Sequence, residues 1–220
     1  MKNPWVIIGV ITVVLFGGAI VYSNYAAEQN NEGVEILEHV KGNEEATVTL
    51  TEYSDFQCPA CASFQPVLNG VLEEYGDNLR FEYKHFPLPI HNYAMPAAVA
   101  AEAAAQQGKF FEYHDALFAN QQAWSNSNTA NALFIKYAEE LDLDMDLFRR
   151  HMNASVLRDK VRDSVGEGRA LKLTGTPTFF LNGERMEFDS FPAFIEQIAL
   201  AVDPSSASTT KPASNVKFGI

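Results

Sequence analysis

Cys58-Pro59-Ala60-Cys61 holds both cysteines of the chain, so any disulfide within one molecule closes over these four residues. Positions i and i+3 of a helix share a face about one turn apart, which puts the two sulfurs within reach of each other. A bridge over so short a loop removes little entropy from the unfolded chain, so stability is a poor reason for keeping the pair. A bond that opens and closes is a better one, because a thiolate attacks a disulfide and the neighbouring thiol then releases the mixed intermediate. Half a zinc site and an incidental pair are the competing readings. Zinc takes about four ligands, commonly from a second C-x-x-C; with no further cysteine in the chain, no metal is expected.

On the N-terminal side of the motif, residues 47–53 are rich in β-branched side chains, and strand alternation places Val48, Leu50 and Glu52 on one face. A carboxyl thus shares a face with two apolar residues, which for an arbitrary glutamate marks a strand end emerging into solvent. Ser54 and Asp55 supply helix-capping chemistry and Pro59 suits a first turn. On the C-terminal side, Phe64, Val67, Leu68, Val71 and Leu72 form a helical stripe that ends near Gly76, with Pro66 inside it as a kink. Cys58 then stands at the amino end of a helix, where unpaired N–H groups and the macrodipole favour an anion, here the thiolate.

Farther out, residues 35–40 read as a short edge strand. Leu79, Phe81 and Tyr83 alternate with charged residues as a second clear strand, which Phe86-Pro87-Leu88-Pro89 breaks. Residues 94–173 carry helical periodicity, interrupted at Gly108, at 125–128 and at 152–153. The strand 178–181 precedes Asn182-Gly183, a strong hairpin signal, so 184–187 is expected to run back antiparallel. A last helix, capped by Asp189 or Ser190, buries Phe191, Phe194, Ile195, Ile198 and Val202. Residues 203–220, rich in Ser, Thr, Pro and Ala, read as a disordered tail. His39, His114 and His151 look isolated and surface or partly buried; Asp142, Asp144 and Asp146 look like a solvated face or helix start.

From Asn3 to Ala27 there are 25 residues without a charge, enough for a helix to cross a hydrocarbon layer of about 30 Å. Lys2 precedes this stretch and Glu28, Glu32 and Glu35 follow it, so the positive end stays inside and the remainder is exported. A cleaved signal peptide is the rival; its apolar region would run about 7 to 15 residues, and Ser23-Asn24-Tyr25-Ala26-Ala27 is a poor cleavage site, so residues 1–25 are read as an anchor and 26–34 as a polar linker. In that compartment an exposed C-x-x-C stays oxidisable. The net charge of −12 and pI near 4.8 leave no basic footprint for nucleic acid.

The order of these features, a strand carrying Glu52, C-x-x-C opening a kinked helix, a strand, a helical insertion, Gly175-Thr176-Pro177, a hairpin and a final helix, resembles the DsbA-like thiol:disulfide oxidoreductases of the thioredoxin superfamily. The resemblance implies an α/β thioredoxin-like fold in two parts, 35–93 and 174–202, around the helical insertion 94–173. It implies Cys58 as the accessible nucleophile, Cys61 as the buried resolving thiol, Glu52 as the buried acid that moves protons, and Pro66 as the family's helix-kinking proline. It further implies a cis Pro177 facing the disulfide, with Thr176 offering backbone groups to an extended substrate. Pro59 and Ala60 tune the pair. Strong oxidants of the family often carry a cation between the cysteines, and its absence here implies a weaker one.

The function implied is disulfide formation or exchange in exported proteins, with the Cys58–Cys61 disulfide as the only redox group, no other cofactor, and, for an oxidase, a DsbB-like membrane quinone reductase as partner. A reductase would instead need an electron donor. A redox-inert peptide-binding module or chaperone on the same fold is the alternative from another class. The 16 phenylalanines read mainly as core, with those near Pro177 as an apolar peptide groove.

Overall fold

A computed structural model describes residues 4–205, so most of the tail expected over 203–220 lies outside the described residues. Helix α1 (Pro4–Asn31) leads into strands β1 (His39–Gly42) and β2 (Val48–Ser54), helix α2 (Pro59–Tyr75) and strand β3 (Leu79–His85). Six helices follow: α3 (Ala94–Ala105), α4 (Phe110–Ala119), α5 (Gln121–Ser125), α6 (Ala130–Glu140), α7 (Met145–Met152) and α8 (Ser155–Ala170). Strands β4 (Thr178–Leu181) and β5 (Glu184–Arg185) and helix α9 (Phe191–Val202) complete the described fold.

The sheet has the order β1-β3-β2-β4-β5. Strands β2 and β3 are parallel, joined by the α2 crossover, and every other pairing is antiparallel. This is a thioredoxin-like mixed sheet with a helical insertion. Alternation along β3 buries Leu79, Phe81, Tyr83 and His85 on one side, and the first three join Val48, Leu50, Phe56, Leu68, Phe179 and Phe194 in one large core. Tyr53, Phe86, Leu173 and Phe180 pack as a smaller cluster. Helix α8 comes so close to Phe86 that a Cβ at Gly168 would lie 2.6 Å from the ring, a contact only glycine permits.

Several local expectations change. The stretch 26–34, read as a linker, is helical as far as Asn31, because the polar residues after Ala27 contain no breaker until Gly33. Asn31 also meets the insertion: its Oδ1 accepts from the Val156 N–H at 3.3 Å and its Nδ2 donates to Ser155 Oγ at 3.0 Å, at the start of α8. The edge strand lies at 39–42 rather than 35–40. The return strand of the hairpin is only two residues long, although Asn182 (φ 52°) and Gly183 (φ 81°) adopt the left-handed turn that the dipeptide signals. Ser54 ends β2 instead of capping α2; the residue in the cap position is Cys58, with no side-chain cap bond. Asp144 and Ser190 do cap α7 and α9 through their side chains.

Candidate active site at the amino end of helix α2

The chain turns sharply between β2 and α2, and Asp55 holds the turn. Its Oδ1 accepts the Gln57 N–H at 2.7 Å, while Oδ2 takes the Leu88 N–H at 2.8 Å and lies 2.7 Å from His91 Nδ1. Gln57 reaches the insertion, donating to Ser125 O at 3.0 Å and accepting from the Tyr93 N–H at 2.7 Å. From α5 the buried Gln121 Nε2 donates to the carbonyls of Phe56 and Cys58, at 2.8 and 2.9 Å. The insertion thus clamps the backbone that carries the first cysteine. Of these residues the sequence singled out only Asp55, as a helix cap; Gln57 and Gln121 were not, and Gln121 stands 63 residues from Cys58 and leaves no local pattern.

Both cysteines are thiols here. Cys58, read as accessible, is only 7% exposed, against 0% for Cys61, because the segment before β4 lies over it. Cys58 Sγ is 3.4 Å from the Thr176 carbonyl oxygen, and the Thr176–Pro177 peptide is cis. The structure therefore brings Cys58, Cys61, Thr176 and Pro177 together. Pro59 fills the first helical position and Ala60 follows it, both well exposed. Pro66 lies inside α2.

The two sulfurs have opposite acidities. The Cys61 thiol, then the Thr176 side chain and the N–H groups of Cys61 and Ala60, outweigh burial and pull Cys58 down to about 5. Burial foremost, with the Cys58 and Glu52 charges, pushes Cys61 far above the ordinary thiol range. Cys58 is thus a thiolate at neutral pH and Cys61 keeps its proton. Glu52 is fully buried, not at an emerging strand end, and burial raises its carboxyl to about 7, against a smaller opposing effect of the Ser54 hydroxyl.

One turn after Cys61 along α2, Phe64 packs against Phe179, Phe188, Phe191 and Phe194. A cavity of about 210 Å³ opens there, lined by Phe64, Phe188, Asp189, Ser190 and Phe191.

The histidines depart most from expectation: His39, His114 and His151 are all buried. His39 and His85 each place Nε2 on Glu102 Oε1, at 2.8 and 2.9 Å, and Lys160 Nζ lies 2.7 Å from Glu102 Oε2 and 3.0 Å from His39 Nε2. Lys160 also donates to the Leu37 carbonyl. Atoms of His39, His85 and Glu102 lie within 4.8 Å of one another, close enough for a metal, but the Lys160 ammonium supplies the cation that the carboxylate needs. Burial pushes His39 down to about 4, and the hydrogen bonds from His39 and His85 overcome burial to keep Glu102 ionised.

A family model described as thioredoxin matches residues 35–198. The chain is 40% identical over 172 residues to an Na(+)/H(+) antiporter NhaA 3 of Salinispora tropica, covering 78% of this chain and 25% of that protein, so the chain spans about a quarter of the length of the curated relatives it matches. Among solved structures, a thioredoxin-like oxidoreductase from Silicibacter pomeroyi superposes with TM-score 0.63 at 24% identity over 84% of this chain and 98% of that one. The alpha-DsbA1 protein of Wolbachia pipientis superposes with TM-score 0.67 at 20% identity over 83% and 100%.

Proposed function

This chain belongs to the thioredoxin family, and on that premise we propose that it is a DsbA-like thiol:disulfide oxidoreductase acting on exported proteins through Cys58 and Cys61. The observation that carries the reading is the pairing of a Cys58 thiol held down to about 5 with a buried, high-pKa Cys61 beside the Thr176–Pro177 segment. An inert binding module has no use for two thiols of opposite acidity.

In the oxidising direction, a client thiolate attacks Cys58 Sγ of the disulfide, the S–S bond to Cys61 breaks, and Cys61 leaves as a thiolate that takes up a proton. The client's second thiolate then attacks its own sulfur in the mixed disulfide and expels the Cys58 thiolate; the client has lost two electrons and the enzyme pair has gained them. The reverse sequence reduces a client disulfide. Glu52 is the proton donor or acceptor for Cys61. Thr176 presents backbone groups to an extended client segment, and the phenylalanine-lined cavity accepts its apolar side chains. Helix α1 is long and apolar enough to cross a membrane, with mean hydropathy 2.4 over its most apolar window, which supports a tethered, extracytoplasmic enzyme. Working as an oxidase it would return its electrons to a DsbB-like membrane quinone reductase.

Insulin reduction and refolding of reduced ribonuclease test the assignment: Cys58→Ser is expected to abolish both, whereas equal activity in the variant would leave a binding module. Rapid alkylation of cells sets the direction, with a mostly oxidised pair marking a disulfide donor and a mostly reduced pair a reductant.

A further inference from the structure

Helix α5 has only five residues, and it is tied to the catalytic turn at both ends. At its first residue the buried Gln121 Nε2 donates to the carbonyls of Phe56 and Cys58, at 2.8 and 2.9 Å. At its last, the Ser125 carbonyl accepts from Gln57 Nε2 at 3.0 Å. The helix has little freedom to yield. Trp124 is fully buried, lies edge-to-face with Phe134 at 5.3 Å between ring centroids, and donates its indole N–H to the Leu117 carbonyl at 2.8 Å. A fixed piece of the insertion therefore meets the backbone of residues 56–58 through one side-chain amide that spans two carbonyls.

What that amide holds is the cap of α2. Cys58 is the residue in the cap position, with extended backbone (φ −74°, ψ 120°) and no side-chain cap bond. Helix caps are commonly fixed by their own side chain. Here the side chain is the nucleophile and points elsewhere, 3.4 Å from the Thr176 carbonyl oxygen, so the cap is set by its backbone partners and by Gln121. The Cys58 N–H donates to the Asp55 carbonyl at 3.0 Å, and the Cys58 carbonyl opens the helix by accepting the Ala62 N–H at 3.2 Å and takes the Gln121 amide as well. The orientation of this residue decides where the unpaired N–H groups of the first turn point, and those groups favour a thiolate at a helix amino end.

We propose that Gln121 is a positioning residue for Cys58: from the helical insertion it fixes the backbone that carries the nucleophile, and so sets the reactivity of that sulfur and the redox equilibrium of the pair. This rests on the dithiol-exchange reading above. A primary amide suits the task, because one nitrogen carries two N–H donors in a fixed fork, one for each carbonyl. Without it the cap is free to turn and the first-turn N–H groups lose their aim at Cys58 Sγ. The reduced enzyme holds Cys58 as a thiolate, so a loss there destabilises the reduced form and makes the disulfide a weaker oxidant.

The test uses the full-length protein in detergent and reads the pH half-point of Cys58 alkylation and the equilibrium of the pair with glutathione, with thermal unfolding alongside. Gln121→Met keeps the volume and removes both donors. It is expected to move the half-point up by about one pH unit and to shift the glutathione equilibrium roughly 10-fold toward oxidised enzyme, within the reach of a partly buried helix terminus. Gln121→Asn keeps the amide on a side chain one methylene shorter, and is expected to move both readings in the same direction by less. A Gln121→Met protein that unfolds at a lower temperature but keeps the wild-type half-point and equilibrium would make the residue a structural support only and overturn the proposal; should that variant not fold, the same two readings on Gln121→Asn decide. A wild-type half-point near the ordinary thiol value of about 8.5, with no mixed disulfide formed with glutathione, would instead overturn the exchange reading itself.

Discussion

Glu52 shows what a single buried carboxyl does to the energetics of this protein. Its pKa rises from about 4.5 in the unfolded chain to about 7 in the fold, so the folded state binds the proton more tightly. The stability linked to that proton is fully present below about pH 4.5 and is lost as pH rises through 7, up to about 3 kcal/mol. Glu52→Gln removes the titration and keeps the shape. Thermal unfolding of the reduced protein is therefore expected to show a stabilising gap for the variant that is larger at pH 8 than at pH 5; an equal gap at both would mean that the carboxyl does not carry this load. This position illustrates how far sequence reasoning reaches for one side chain. Alternation put Glu52 on the apolar face, but only the resemblance gave it an interior role; Tyr83, set opposite it by strand register, carried no signal, and Ser54, on the same face two residues on, was read as a helix cap.

Helix α2 works through its first turn. The Cys61 thiol foremost, with the Cys61 and Ala60 N–H groups of this turn, lowers the pKa of Cys58 with no side-chain cation between the cysteines; Pro59 has no N–H to give and Ala60 contributes only backbone. A helix terminus contributes about 0.3–1 kcal/mol near an exposed charge and up to about 2 when partly buried, and a cation beside it adds further stabilisation to the thiolate of the reduced form. Ala60→His is therefore expected to make the disulfide a stronger oxidant, shifting its equilibrium with glutathione toward reduced enzyme by roughly 10-fold, equivalent to about 30 mV for a two-electron couple. An unchanged equilibrium would mean that Ala60 does not set the potential of the disulfide. The elements around α2 were largely readable: Leu79, Phe81 and Tyr83 alternate, Asn182-Gly183 turns, and Gly76 closes the helix. The division of residues 109–122 into α4 and α5 at Asn120 was not, because no proline or glycine stands there.

At the scale of the whole molecule, a buried ionic cluster joins β1, β3, α3 and α8 through His39, His85, Glu102 and Lys160. Breaking such a pair from one side leaves a buried charge uncompensated. Glu102→Gln is expected to cost about 3 kcal/mol, near the low end for buried pairs because 16% of the Lys160 side chain stays in solvent. Adding Lys160→Met is expected to restore at least half of the loss in urea unfolding; no recovery in the double variant would show that the lysine is not the partner that matters. His39 adds a pH dependence. Its folded pKa of about 4 lies below its unfolded value near 6.5, so stability is intact above pH 6.5 and falls as pH drops toward 4, by of order 1–3 kcal/mol. None of this was legible, since the four residues span more than 120 positions and each looks ordinary in its own segment. The helix α1 has a further consequence at this scale. Its 28 residues extend about 42 Å, some 12 Å more than a bilayer's hydrocarbon layer, and its last turn is pinned to the start of α8 by Asn31. With α1 across a bilayer, the fold would stand on a short rigid stalk at headgroup height, and the bearing of Cys58 toward the lipid surface would be set rather than free to swing.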